Sequence, residues 1–211
     1  MRTHKLRSGI AVLLAVMLLL CGCQSENSLK WKPIRTTIEQ SDNSFGARYI
    51  FTLDEFTEKI EPELESFDIK LSRSGWEILI EKLVDDNGVS YRSYCCHAGT
   101  ITFTVATEND NGKVMNIGCG CDSALLEDED YRNSFVQLCA VIAQYAGGYE
   151  EKSIDFFAGV FIQLLDGEDD ILCYGETLYI KSVDNAATVL MTAPCSEDYI
   201  NKNHYQMISE S

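Results

Sequence analysis

The clearest pattern along the chain is Thr100-Ile101-Thr102-Phe103-Thr104-Val105, where apolar and hydroxylated side chains strictly alternate. A period of two places them on opposite faces of an extended segment, as in a half-buried strand over residues 100–107. Residues 76–84, 89–96 and 113–119 also have strand character, and the intervals between them carry turn chemistry. Asn87-Gly88 and Asn111-Gly112 suit the positive φ of tight hairpins, and Ala98-Gly99 suits a short turn between the middle pair. These spacings predict a four-stranded antiparallel meander. Residues 76–84 are the least regular of the four, because Trp76, Leu79, Ile80 and Leu83 also fit a helical stripe.

A period near 3.6 appears on either side of this region. Thr52 can cap a helix while Glu55 reaches back to the Thr52 amide and Phe51 packs on Phe56, so a capping box and a hydrophobic staple coincide. Phe56, Ile60 and Leu64 continue that face, with Pro62 expected to end the helix or force a fresh turn. After the acidic run 127–130, Tyr131, Phe135, Leu138, Cys139, Ile142 and Tyr145 form a second apolar stripe, which Gly147 and Gly148 stop. Carboxylates ahead of a helix interact favourably with its positive end, so the acidic run reads as a helix entry. A third stripe, Ile154, Phe157, Ala158, Phe161 and Leu165, closes at Gly167. Two more strands are predicted over 177–183 and 187–193, joined at Asp184-Asn185. The fold class expected is α+β: an antiparallel sheet of about six strands, built from the four-strand meander plus a C-terminal hairpin, with about three helices packed on one face.

The N-terminal region follows a different logic. Arg2, Lys5 and Arg7 precede an apolar run over 10–20 that ends in Leu20-Cys21-Gly22-Cys23. Such a run is too short to span a bilayer as a helix, and with its basic start it reads as a secretory signal. The ending resembles the lipobox of bacterial lipoproteins, with Leu20, Gly22 and Cys23 in the leucine, small-residue and cysteine positions. The resemblance implies a signal peptide over 1–22 and a lipid such as palmitate on Cys23. It also implies a chain exported to the extracytoplasmic face of the cell membrane. Residues 23–44 are polar without a sustained period and read as a lipid-anchored flexible tether. A single α+β domain is expected over 45–195 and a polar C-terminal tail over 196–211.

Charge narrows the partners. The formal net charge is -16, and the signal contains three of the seventeen Lys and Arg but none of the thirty-three acidic residues, so the exported part is more acidic still. That balance repels phosphate backbones and anionic headgroups, which excludes nucleic acid and any membrane contact beyond the lipid. An envelope protein or peptide, a cationic polymer or a divalent ion remains compatible. A body of roughly 150–170 residues buries enough surface to fold without metal, disulfide or other cofactor.

Beyond Cys21 and Cys23, the cysteines are Cys95, Cys96, Cys119, Cys121, Cys139, Cys173 and Cys195. Their odd number leaves at least one thiol unpaired, and three bridges among them can be drawn in about a hundred ways. Cys95-Cys96-His97 and Cys119-Gly120-Cys121 fall at one end of the predicted sheet, two strand spacings or about 9.5 Å apart. This cluster is the candidate disulfide or metal site. A direct bridge between its halves requires one of them to curl past the strand end, because a disulfide needs Cα atoms within about 7 Å. A metal gathers ligands more freely, although adjacent cysteines on a strand point to opposite faces. Cys96 beside His97 also raises a nucleophile reading, with the same objection from alternation. The nucleophile elbow, phosphate loop, zincin motif and dinucleotide-binding glycines are missing from the sequence, and neither Asn-Gly loop carries calcium-loop ligands. Catalytic residues are therefore not assigned. The function expected is a lipid-anchored, non-catalytic binding or interaction domain. The competing expectation is a redox or metal-binding protein using Cys95, Cys96, Cys119 and Cys121.

Overall fold

Residues 37–149, 152–184 and 186–208 are described by a computed structural model. The signal segment, Cys23 and the first part of the expected tether lie outside these residues. The described residues form a seven-stranded antiparallel sheet, a separate two-stranded sheet and four α-helices, which is the α+β class.

The described chain opens with a short hairpin, β1 (Ile38–Gln40) and β2 (Ala47–Tyr49). Residues 37–44 were expected in the tether but belong to the folded body, because their polar side chains are held by other parts of the molecule. Asn43, for example, is fully buried and donates to the Ala47 carbonyl at 2.8 Å. Helix α1 (Leu53–Leu64) follows, with Thr52 and Glu55 forming the full capping box. Pro62 lies in its last turn and does not end it. The helix continues to Leu64 and tightens into a 3-10 turn over Glu65–Phe67.

The meander comprises β3 (Glu77–Val84), β4 (Ser90–Ala98), β5 (Ile101–Glu108) and β6 (Val114–Asp122). Gly88, Gly99 and Gly112 all adopt positive φ in its turns, the conformation expected of the hairpins there. Next come α2 (Glu129–Gly147), capped by Asp128 and closed by Gly148 at φ 64, and α3 (Ile154–Asp166), capped by Ser153. The sheet is completed by β7 (Ile171–Tyr174), β8 (Thr177–Asp184) and β9 (Ala187–Pro194), in the spatial order β3-β4-β5-β6-β9-β8-β7. β7 and the final helix α4 (Glu197–Asn203) add to the expected elements. α4 occupies part of the stretch expected as tail, with Ser196 as its cap.

Cross-strand pairs share a face, so the register separates the two sides of the sheet. Phe103 pairs with Cys96 and Cys119, Val105 with Ile117, and Tyr179 with Leu172 and Thr192. This side shares one core with Phe56, Ile60 and Leu64 of α1, Phe135, Leu138 and Ile142 of α2, and Phe157 and Phe161 of α3. The opposite side carries Cys95 beside Thr104, Gly118 beside Thr104 and Met191, and Ile180 beside Met191. Its Thr104, Met191 and Ile180 are half-buried, whereas the helical side is closed.

A buried carboxylate fastens the N-terminal hairpin to the sheet. Glu108, at the end of β5, is 3% exposed. It accepts hydrogen bonds from Ser41 Oγ at 2.5 Å, Asn43 Nδ2 at 3.2 Å and Asn111 Nδ2 at 2.8 Å, and pairs with the Arg48 guanidinium. Burial pushes its pKa up, but the Ser41, Asn111 and Arg48 hydrogen bonds and the Arg48 charge outweigh that and hold it below the ordinary value.

Candidate functional site

The expected cysteine cluster is divided by the sheet. Cys96, Cys119 and Cys121 take the helical side, while Cys95 pairs with Thr104 on the other. Phe103 stands between Cys96 and Cys119. All seven cysteines of the body are buried and free, and the described residues contain no group of three or more His, Cys, Asp or Glu side chains able to hold a metal ion.

The thiols are also poorly disposed to act as nucleophiles. Burial pushes Cys96 up, and it pushes Cys121 up to about 11 despite a hydrogen bond with Tyr131. Cys139 rises through burial and its contact with Cys119, and Cys195 through its hydrogen bond with Cys173 and burial. Each shift favours the neutral thiol, opposite to the direction that activates a cysteine. His97 is exposed, hydrogen-bonded to Thr102 Oγ1 at 2.9 Å, and points to the face opposite Cys96.

Two surface features remain as candidates. One is a groove of about 440 Å³ at the β4–β5 turn, lined by Phe67, Lys70, Thr100, Ile101, Tyr131 and Leu138 among others. Its volume falls within the range of small-molecule sites. Its polar lining includes Asp68, Lys70, Ser134 and the hydroxyl pair of Thr100 and Tyr131 at 2.9 Å, groups that can orient a ligand.

The other candidate is the β3 edge. The two outer strands of the large sheet are treated differently. Beside β7, the chain's own C-terminal segment forms a parallel bridge, with the Cys173 amide donating to the Gln206 carbonyl and the Ile208 amide to the Cys173 carbonyl. β3 pairs only with β4. Its side chains stay in solvent, Ile78 being 50%, Leu79 57%, Ile80 40% and Val84 57% exposed. Ile78 pairs with Tyr94 toward the helical side, whereas Ile80 pairs with Ser93 and Leu83 with Tyr91 toward the open side. Apolar groups therefore occupy both faces.

Two register shifts, between Ile78 and Ile80 and between Ile80 and Leu83, interrupt its ladder with β4. Bulges and charges are the usual means of keeping an edge from unspecific strand pairing, and β3 has both, with Glu81 and Lys82 at its centre. Its hydrophobicity is thus displayed on an edge protected against indiscriminate growth. Trp76 fixes the start of the strand by donating to Thr57 Oγ1 of α1 at 2.9 Å. The helical stripe seen in the sequence through Trp76, Leu79, Ile80 and Leu83 is the trace of this unusual strand, apolar where an edge is normally polar.

Comparisons with protein-family models, curated proteins and solved structures find no match.

Proposed function

We propose that the chain is a lipid-anchored interaction domain, held through Cys23 at the extracytoplasmic face of the cell membrane. In this reading the β3 edge engages an extended apolar segment of another envelope protein or peptide. The observation that carries it is the asymmetry of the two sheet edges, one covered by the C-terminal segment and the other exposing Ile78, Leu79, Ile80 and Val84. Large apolar side chains clustered in solvent are costly for a protein that stays alone, and they mark contact surfaces. The flanking charges specify the partner. Glu81 is paired with Arg92 of β4 at 2.6 Å, which leaves Glu77, Asp85 and Asp86 against Lys82, so the complementary segment has an apolar centre and basic flanks. Contact through side chains, with ladder pairing only between the bulges, suits this edge.

The test uses the full chain in its membrane, with a photo-crosslinking amino acid at Leu79 and a control at Ile162, which is 40% exposed on α3. The reading expects one dominant adduct from position 79, mapping to an apolar segment with Lys or Arg on either side, which disappears when Ile78 and Ile80 are replaced by Ser. Adducts of equal yield from both positions, a self-adduct, or persistence in the serine variant would overturn it. The anchor is tested separately by labelling with an alkyne analogue of palmitate. Label should appear on the wild-type chain and be lost in Cys23→Ala, and its retention in that variant would refute lipidation at Cys23.

A further inference from the structure

The groove at the β4–β5 turn is lined by one carboxylate and one ammonium, Asp68 and Lys70, in a chain whose formal net charge is -16. The local backbone explains how both come to be there. After the 3-10 turn over Glu65–Phe67, Asp68 takes the left-handed conformation at φ 57, with its amide donating to the Glu65 carbonyl at 3.1 Å. Aspartate tolerates that conformation better than most residues. The Ile69 amide then donates to the Leu64 carbonyl at 3.2 Å, and Ile69 and Leu71 are buried in the core. Anchored at these two positions, the segment leaves Asp68 and Lys70 exposed in the groove lining. Among the described residues neither side chain has an ion pair or a hydrogen bond, whereas the next cation along the chain, Arg73, is engaged with Asp54 and Glu58.

The rest of the lining is apolar or hydroxylated. Phe135 and Leu138 of α2 are buried, and Phe67, Ile101 and Tyr131 are half-buried beside them. The Thr100 and Tyr131 hydroxyls lie 2.9 Å apart, and Ser134 Oγ donates to the Asp130 carbonyl at 3.0 Å. Two free charges of opposite sign thus border an apolar surface.

We propose that this groove binds a small zwitterion with an apolar body, of the α-amino-acid and short-peptide class. Lys70 takes its carboxylate, Asp68 takes its ammonium, and Phe67, Ile101, Phe135 and Leu138 receive its apolar side chain. Burial of that side chain supplies most of the affinity, and the two charges fix the orientation. A ligand with only a negative charge meets Asp68 unfavourably and one with only a positive charge meets Lys70 unfavourably, so carrying both is selected. A volume of about 440 Å³ admits a ligand of amino-acid or dipeptide size but not a folded partner. The inference uses neither the lipid anchor nor the β3 edge and stands independently of both.

The test titrates the full chain in detergent, at neutral pH, with L-phenylalanine and with L-leucyl-L-phenylalanine, and follows saturable binding by ligand-observed NMR. The controls are 3-phenylpropanoate and 2-phenylethylamine, which keep the ring and each lose one charge. At least one zwitterion should bind saturably and about 3–10-fold more tightly than either control. Whichever zwitterion binds better separates a free amino acid from a short peptide as the ligand. Lys70→Met should erase the advantage over 2-phenylethylamine and keep that over 3-phenylpropanoate. Asp68→Asn, which retains a side chain suited to the left-handed conformation, should do the reverse. Both residues are exposed, so the variants should unfold at the wild-type temperature. Absence of saturable binding by both zwitterions, a control that binds as tightly, or folded variants that keep both preferences would overturn the inference. The ligand series on the wild-type chain decides the matter even where a variant does not fold.

Discussion

Replacing Glu108 with Gln tests how the polar N-terminal hairpin is held on the sheet. The substitution preserves shape and leaves a carbonyl to accept from Ser41 and Asn43, but it turns an amide toward the Arg48 and Asn111 donors. Breaking a fully buried ion pair costs about 3–5 kcal/mol. The cost here is smaller, because the Arg48 side chain is 23% exposed and keeps Glu39 at 2.8 Å. A charge-assisted hydrogen bond contributes about 1.5–3 kcal/mol, so Glu108→Gln should lose about 2–3 kcal/mol. For a body of this size that lowers Tm by about 5–10 °C. Urea unfolding followed by Trp76 fluorescence measures the loss. The double variant with Arg48→Met should be less destabilised than the sum of its parts.

The pH dependence provides a second reading of the same group. Folding lowers the Glu108 pKa, so the native state binds fewer protons than the unfolded chain. Its contribution is complete above the unfolded carboxylate value of about 4.3 and is lost as pH falls through the lower native value. Wild-type stability should therefore fall more steeply than that of Glu108→Gln as the solution is acidified through this range. A loss under about 0.5 kcal/mol at neutral pH, with parallel pH profiles, would refute a clasping role for the carboxylate.

Thr52→Ala removes the side-chain half of the α1 capping box and should cost about 1 kcal/mol by the same urea assay. Tyr49→Phe leaves the buried Thr192 hydroxyl without its 2.9 Å partner and should cost about 1–2 kcal/mol. Phe103→Ala, at the centre of the helical face, should cost about 3–5 kcal/mol and broaden the thermal transition seen by calorimetry. Replacing Ile78, Leu79 and Ile80 together with Ser should cost about 2–3 kcal/mol, roughly 1 kcal/mol for each half-exposed side chain and well below the cost of emptying three core positions, while reducing adsorption to apolar resin.

The main elements are legible in the sequence wherever periodicity and caps agree. The alternation around Phe103, the Thr52 and Glu55 capping box and the Gly147-Gly148 stop all correspond to observed elements. The N-terminal hairpin is hidden because Ser41, Asn43 and Arg48 are polar, and their docking depends on Glu108, sixty or more residues away. β7 has only four residues after an acidic stretch, too few for a period to emerge. Its edge is covered by Gln206–Ile208, a contact that no local pattern announces. The sequence also groups Cys95, Cys96, Cys119 and Cys121 by proximity along the strands. Alternation sends Cys95 to the far face, away from Cys96, Cys119 and Cys121. The exposed β3 edge was legible only as an ambiguity between strand and helix, because hydrophobicity alone does not reveal which side of a strand lacks a neighbour.

Amide hydrogen exchange across β3, measured on the chain in its own membrane and on the purified chain, tests the partner-binding reading most directly. The account predicts that amides over Leu79–Lys82 exchange more slowly in the membrane than in the purified chain, while those of α3 are unchanged. Equal rates in the two preparations would contradict it.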